Sequence, residues 1–217
     1  MKPRCWLCGL LAALCAGCGG GSPDEPPAAP TPRVIEFYGD SLTFGSIEGP
    51  AGSLTRLAVP PVRRAQELLG DAALCVDLSL PGATVADALA GVAMMPFGRF
   101  ADHVRTTQAS TLVIRYGGAD AVRGTPLANF ERDLEATVSL AKKSHKLILL
   151  VGVIATTSGV TDDYDLAVER TADAHATGFV DVRSVPFTLP DDLADDVHPA
   201  QAWSDRITAL IAKSLGA

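Results

Sequence analysis

Cysteine is nearly missing from the body of this 217-residue chain. Four of the five cysteines (Cys5, Cys8, Cys15, Cys18) crowd the start, and only Cys75 lies beyond them. A lone thiol closes no intrachain disulfide, so a disulfide-stapled scaffold is excluded. Basic runs are lacking as well. With 18 basic and 25 acidic residues the formal charge is -7. No stretch supplies the phosphate-neutralising patch that nonspecific nucleic-acid binding needs. The apolar stretch from Cys5 to Ala16 is too short to cross a bilayer as a helix. His103, His145 and His175 have no Cys or Glu partners at ligand spacing, which argues against a metal site, and no cofactor is expected. Internal repeats and a second domain are also lacking.

What the start does have is the pattern of a processed leader. Lys2 and Arg4 precede the short apolar stretch, as in a secretory signal. It ends in "LCAGC", which resembles a bacterial lipobox: Ala16 and Gly17 stand directly before Cys18, with Cys15 where leucine is usual. That resemblance implies removal of residues 1–17 and lipidation of Cys18, hence a domain tethered to a membrane of the bacterial cell envelope. An ordinary secretory signal cleaved nearby and an uncleaved anchor are the alternatives. Residues 18–33 follow as a Gly-then-Pro tract without bulky apolar residues, which reads as a spacer.

Residues 34–217 alternate apolar runs with helical patterns, the mark of a parallel sheet covered by helices. Strands are expected at Val34–Tyr38, Ala73–Ser79, Thr111–Tyr116, Leu147–Ile154 and Phe179–Val182, mostly as continuous apolar runs buried on both faces. Helices are expected after Pro60-Pro61, after Thr84, around 99–107, from Pro126 to about 146, over 162–176 and from 200 to 216. Leu127, Phe130, Leu134, Val138 and Ala141 form one stripe. Trp203, Ile207, Leu210 and Ile211 form another. Right-handed crossovers then give an α/β fold, a three-layer sandwich around a five-stranded parallel sheet, flavodoxin-like in outline.

Ligands in such sheets sit at the carboxyl ends of the strands. There the chain carries "GDSL" (Gly39–Leu42), "LPGAT" (Leu80–Thr84), "YGGAD" (Tyr116–Asp120) and, past the fifth strand, "DDVHP" (Asp195–Pro199). Taken alone, Ser41 reads as a helix cap, Gly82 as a turn glycine and His198 as a surface histidine. Asp40 and Asp120 read as carboxylates that fix loop backbones. Together these blocks resemble the SGNH (GDSL-type) hydrolase family over roughly residues 34 to 215. Gly39-Asp40-Ser41-Leu42 matches its first block, Gly82 its second, and Asp195 with His198 its last.

The resemblance implies a serine nucleophile at Ser41, a base at His198 and an orienting carboxylate at Asp195, with Asp196 the neighbouring alternative. It assigns the oxyanion donors to the backbone N–H groups of Ser41 and Gly82 and to an Asn side chain in the third block. At that third block this chain departs from the family, with Ala119 where the family carries Asn. Three accounts stay open. Two backbone donors suffice for an activated ester; Arg115, Arg123 or a water fills the gap; or the protein binds without turnover. "GGADAVRG" is similar to the lysophospholipase/thioesterase branch, and acetyl groups on cell-envelope sugars are equally reachable. The expected activity is therefore serine ester hydrolysis on a small-molecule, lipid or carbohydrate ester. A noncatalytic tethered binding protein competes with it, and a structural lipoprotein is a third option.

Overall fold

In the computed structural model, residues 31–92, 94–153 and 161–217 are described. The expected leader, Cys18 and the spacer up to Pro30 lie outside the described residues, as does Ile154, the expected end of the fourth strand. Among the described residues seven strands run in chain order: β1 (Arg33–Gly39), β2 (Ser46–Glu48), β3 (Leu54–Arg56), β4 (Ala73–Asp77), β5 (Thr111–Arg115), β6 (Leu147–Val151) and β7 (Gly178–Val180). Eight α-helices accompany them among the described residues: α1 (Ser41–Phe44), α2 (Pro61–Leu69), α3 (Val85–Ala90), α4 (Phe100–Thr106), α5 (Gly118–Val122), α6 (Leu127–Lys143), α7 (Asp162–His175) and α8 (Gln201–Ser214).

Five of the strands form one sheet in the order β4-β1-β5-β6-β7, and every pairing in it is parallel. The chain goes to one side of β1 for β4 and to the other for β5. The topological switch point thus lies at β1, where open sheets of this kind bind ligands.

Adjacent residues of a strand point to opposite faces. Phe37 faces Pro61 of α2 and Ile211 of α8. Tyr38 meets Phe97 and Phe100, ring centroids 5.0 and 5.2 Å away. Helices therefore cover both faces. α2 packs with α8 on one; α6 packs with α3, α4 and α7 on the other. Of the expected α6 stripe, Phe130, Leu134, Val138 and Ala141 are buried, and Leu127 at the helix start is half-buried. Trp203, Ile207 and Ile211 of α8 are buried, with Leu210 half-buried at the edge of the stripe.

Two features were not legible in the apolar pattern. Glu36, in the middle of β1, is buried rather than half-exposed. Tyr38 and Thr107 donate their hydroxyls to its carboxylate, and His103 Nε2 stands 3.1 Å from Oε1. His103 and Thr107 come from 67 and 71 residues away, which is why no local pattern shows them. His103, which looks bland in sequence, is therefore a structural partner of a core carboxylate. The second feature is the antiparallel pair β2–β3, with Ile47 opposite Thr55. Three-residue strands are too short to show an alternation.

Candidate active site

The site begins where β1 ends. A Cβ on Gly39 would stand 2.1 Å from Thr43 Oγ1 and 2.4 Å from the Arg115 carbonyl. Only glycine lets the chain turn this close to β5. Asp40 then caps α1, its Oδ1 accepting the N–H of Leu42 at 2.9 Å. Its Oδ2 accepts the N–H of Ala119 at 3.0 Å, tying the exit of β1 to the exit of β5. Burial pushes the Asp40 carboxyl up, against the pull of those two donors and of Arg115. Ser41 follows as the first residue of α1. Among the described residues nothing accepts its N–H.

Beyond β4 the chain stays beside β1, with Leu80 N–H bonded to the Gly39 carbonyl at 3.0 Å. That delivers Pro81 and Gly82 next to Ser41. Gly82 has φ +75°, the left-handed region that glycine occupies without strain. Its N–H also lacks an acceptor among the described residues. Two residues on, Thr84 and Asp87 close a reciprocal cap on α3.

The last block is a tight loop, closed by Ala194 N–H to the His198 carbonyl at 2.8 Å. Asp195 lies inside it as a hub of acceptors. Its Oδ1 takes the backbone N–H groups of Val197 at 2.8 Å and His198 at 2.7 Å. Its Oδ2 lies 2.9 Å from His198 Nδ1 and accepts the N–H of Glu48, in β2, at 2.8 Å. Burial alone would raise the Asp195 carboxyl. The donors outweigh it and hold the group below the usual carboxylate range. Asp196 is exposed, so the ring's partner is Asp195. With Nδ1 engaged, Nε2 is the nitrogen left for proton exchange.

Ser41, Gly82, Ala119 and His198 line one cleft of about 330 Å³, together with Arg123. Its apolar walls include Leu54 of β3 and Val122 of α5, which are 59% and 62% exposed. A second hollow of about 450 Å³ shares Pro81 and Arg123 with it and is bordered by Val92 and Met94. Among the described residues no hydrogen bond joins Ser41 Oγ to the His198 ring. Such contacts commonly tighten only around a substrate, so the shared cleft is the relevant observation.

Of the two arginines near the third block, only Arg123 lies in the cleft. Arg115 is buried beneath it, giving Nη1 to the Leu42 carbonyl at 3.4 Å and Nε to the Gly152 carbonyl at 3.3 Å. Asp120 fixes backbone as expected, accepting the N–H of Val85 at 3.2 Å. Burial raises its carboxyl to about 7 against that bond. Ala119 presents a methyl group to the cleft and has given its N–H to Asp40, so it offers no donor. Local sequence patterns missed the Glu48 amide, which reaches Asp195 across 147 residues, and the Leu54 wall.

No curated relative matches the sequence. Solved structures do match in fold. An aryl esterase from M. smegmatis aligns with TM-score 0.70 at 17% identity, over 84% of this chain and 98% of that one. An acetylxylan esterase from Geobacillus stearothermophilus aligns with TM-score 0.68 at 22% identity, over 85% and 94%. A carbohydrate acetylesterase from Sinorhizobium meliloti aligns with TM-score 0.67 at 16% identity, over 84% and 98%. At these identities the likeness establishes the fold. The sequence itself matches the model of the GDSL-like lipase/acylhydrolase family over residues 37–205, and the chain belongs to that family.

Proposed function

We propose that the protein is a serine ester hydrolase working through an acyl-enzyme. Ser41 Oγ attacks the ester carbonyl carbon while His198 Nε2 takes its proton, and Asp195 holds the imidazolium that forms. The tetrahedral oxyanion is received by the N–H groups of Ser41 and Gly82. As the alkoxide leaves, His198 returns the proton to it. Water, deprotonated by the same ring, then releases the acid and frees Ser41.

The observation that carries this reading is a histidine with Nδ1 held by a carboxylate, lining the same cleft as the serine. The apolar walls suit an ester with an aliphatic acyl group, lysophospholipid- or thioester-like. The acetylesterase names among the similar folds keep sugar acetates in view. Ala119 favours one competitor, a binding protein that kept the cleft and lost turnover. A panel of p-nitrophenyl esters of rising acyl length, with fluorophosphonate labelling, separates the two. The hydrolase reading expects turnover and a label on Ser41; a protein that neither turns over nor takes the label is the binding protein.

The lipid anchor is a second part of the proposal, resting on "LCAGC" at 14–18. Among the described residues no helix is long and apolar enough to cross a membrane. Cys18→Ala is expected to move the protein from the membrane fraction to the soluble fraction. Unchanged retention on membranes refutes lipidation at Cys18.

A further inference from the structure

We propose that Arg123 is a catalytic residue of this cleft, its Nη2 donating to the oxyanion in place of the side-chain amide that Ala119 lacks. The assignment rests on the esterase reading above and concerns how that chemistry survives a missing donor.

Arg123 follows Ala119 by one helical turn. Its N–H bonds to the Ala119 carbonyl at 3.0 Å, so the two side chains share a face of α5. Side chains on a helix lean toward its N-terminus, and a residue four positions on covers the spot beside the earlier one. A methyl at 119 leaves that spot open. Arg123 has the length to cross it, and both residues line the cleft.

The guanidinium is also aimed. Nη1 is held 3.1 Å from Asp87 Oδ2, and that carboxylate is itself fixed by the Thr84 N–H at 2.9 Å. Nη2 is left over, without an acceptor among the described residues. It stands 3.8 Å from the point where a Cβ on Gly82 would be. Gly82 carries one of the two backbone donors of the proposed oxyanion site. A cationic N–H donor therefore stands beside the residue proposed to carry the second oxyanion donor, and charge-assisted bonds are the stronger kind. Arg115, the other nearby cation, points beneath the turn and cannot reach.

Steady-state hydrolysis of p-nitrophenyl acetate by Arg123→Ala, Ala119→Asn and the double variant tests this. Arg123→Ala is expected to lower kcat by about tenfold to a hundredfold, with KM changed by less than about threefold. Ala119→Asn is expected to restore most of that loss in the Arg123→Ala background. In the wild type it adds less than about threefold, because the two donors serve one oxygen. Arg123→Lys, with a charge but no fork, recovers only part. The Asp87 ion pair is half-exposed and worth little to stability, so the alanine variant keeps its fold.

Three results overturn the assignment. One is an Arg123→Ala kcat within about twofold of wild type. Another is a loss carried wholly by KM, which makes Arg123 a binding residue. The third is an equal gain from Ala119→Asn in both backgrounds. A wild type with no Ser41-dependent turnover sinks the esterase reading itself. That result is distinct from an active enzyme indifferent to Arg123.

Discussion

Ser41→Ala is expected to lower kcat by about five to six orders of magnitude, leaving the residual rate that binding and the oxyanion donors provide. Without Oγ no acyl-enzyme forms, so the burst of p-nitrophenol at the first turnover disappears as well. His198→Ala is expected to fall nearly as far, and the double variant no further than either, because nucleophile and base act as one unit. Stability should barely move. Asp40, and not Ser41, caps α1 and fastens the turn to β5. Pre-steady-state kinetics on purified variants check this. A Ser41→Ala protein that keeps more than about one per cent of wild-type kcat, burst included, would place the nucleophile elsewhere.

Asp195→Asn has the second-largest expected effect, about four orders of magnitude in kcat, because an amide favours the wrong tautomer of the ring. Unlike Ser41, this position also holds structure. The carboxylate accepts from Val197, His198 and Glu48 at once, and an amide has one oxygen where these donors need two. One backbone donor is left facing an NH₂ group, which costs about 1–3 kcal/mol of stability. The pH dependence follows from the depressed Asp195 carboxyl. A carboxyl lower in the folded than in the unfolded chain contributes stability fully above its unfolded value, near 3.8. That contribution is lost as pH falls through the lower folded value. Urea unfolding at neutral pH should therefore separate wild type from Asp195→Asn, and the gap should shrink below about pH 4. A constant gap across that range would mean that charge at 195 is not what holds the loop.

The sheet was legible because its five strands are buried on both faces and write themselves as continuous apolar runs. Their exits then located Gly39–Leu42, Leu80–Thr84 and Tyr116–Asp120 along one edge. Other features were set by distant partners. The core carboxylate Glu36 sits between the apolar Ile35 and Phe37, and apart from Tyr38 two positions on, its hydrogen-bond partners come from α4 and the residue after it. The direction of Arg115 follows strand parity. It lies on the face of Val113 and Phe37, toward α2 and α8, but the sequence does not say which face turns away from the cleft. The pair β2–β3 carries no periodicity at all, and its contact with Asp195 runs through a main-chain amide.

That last contact has an evolutionary consequence. A main-chain amide is supplied by every residue except proline, so the support for Asp195 is indifferent to which side chain occupies position 48. The same short arm sets Leu54 against the cleft. Under the proposed ester hydrolysis, preference for one acyl group over another can thus drift by mutation along the arm while the orientation of the imidazole is inherited unchanged.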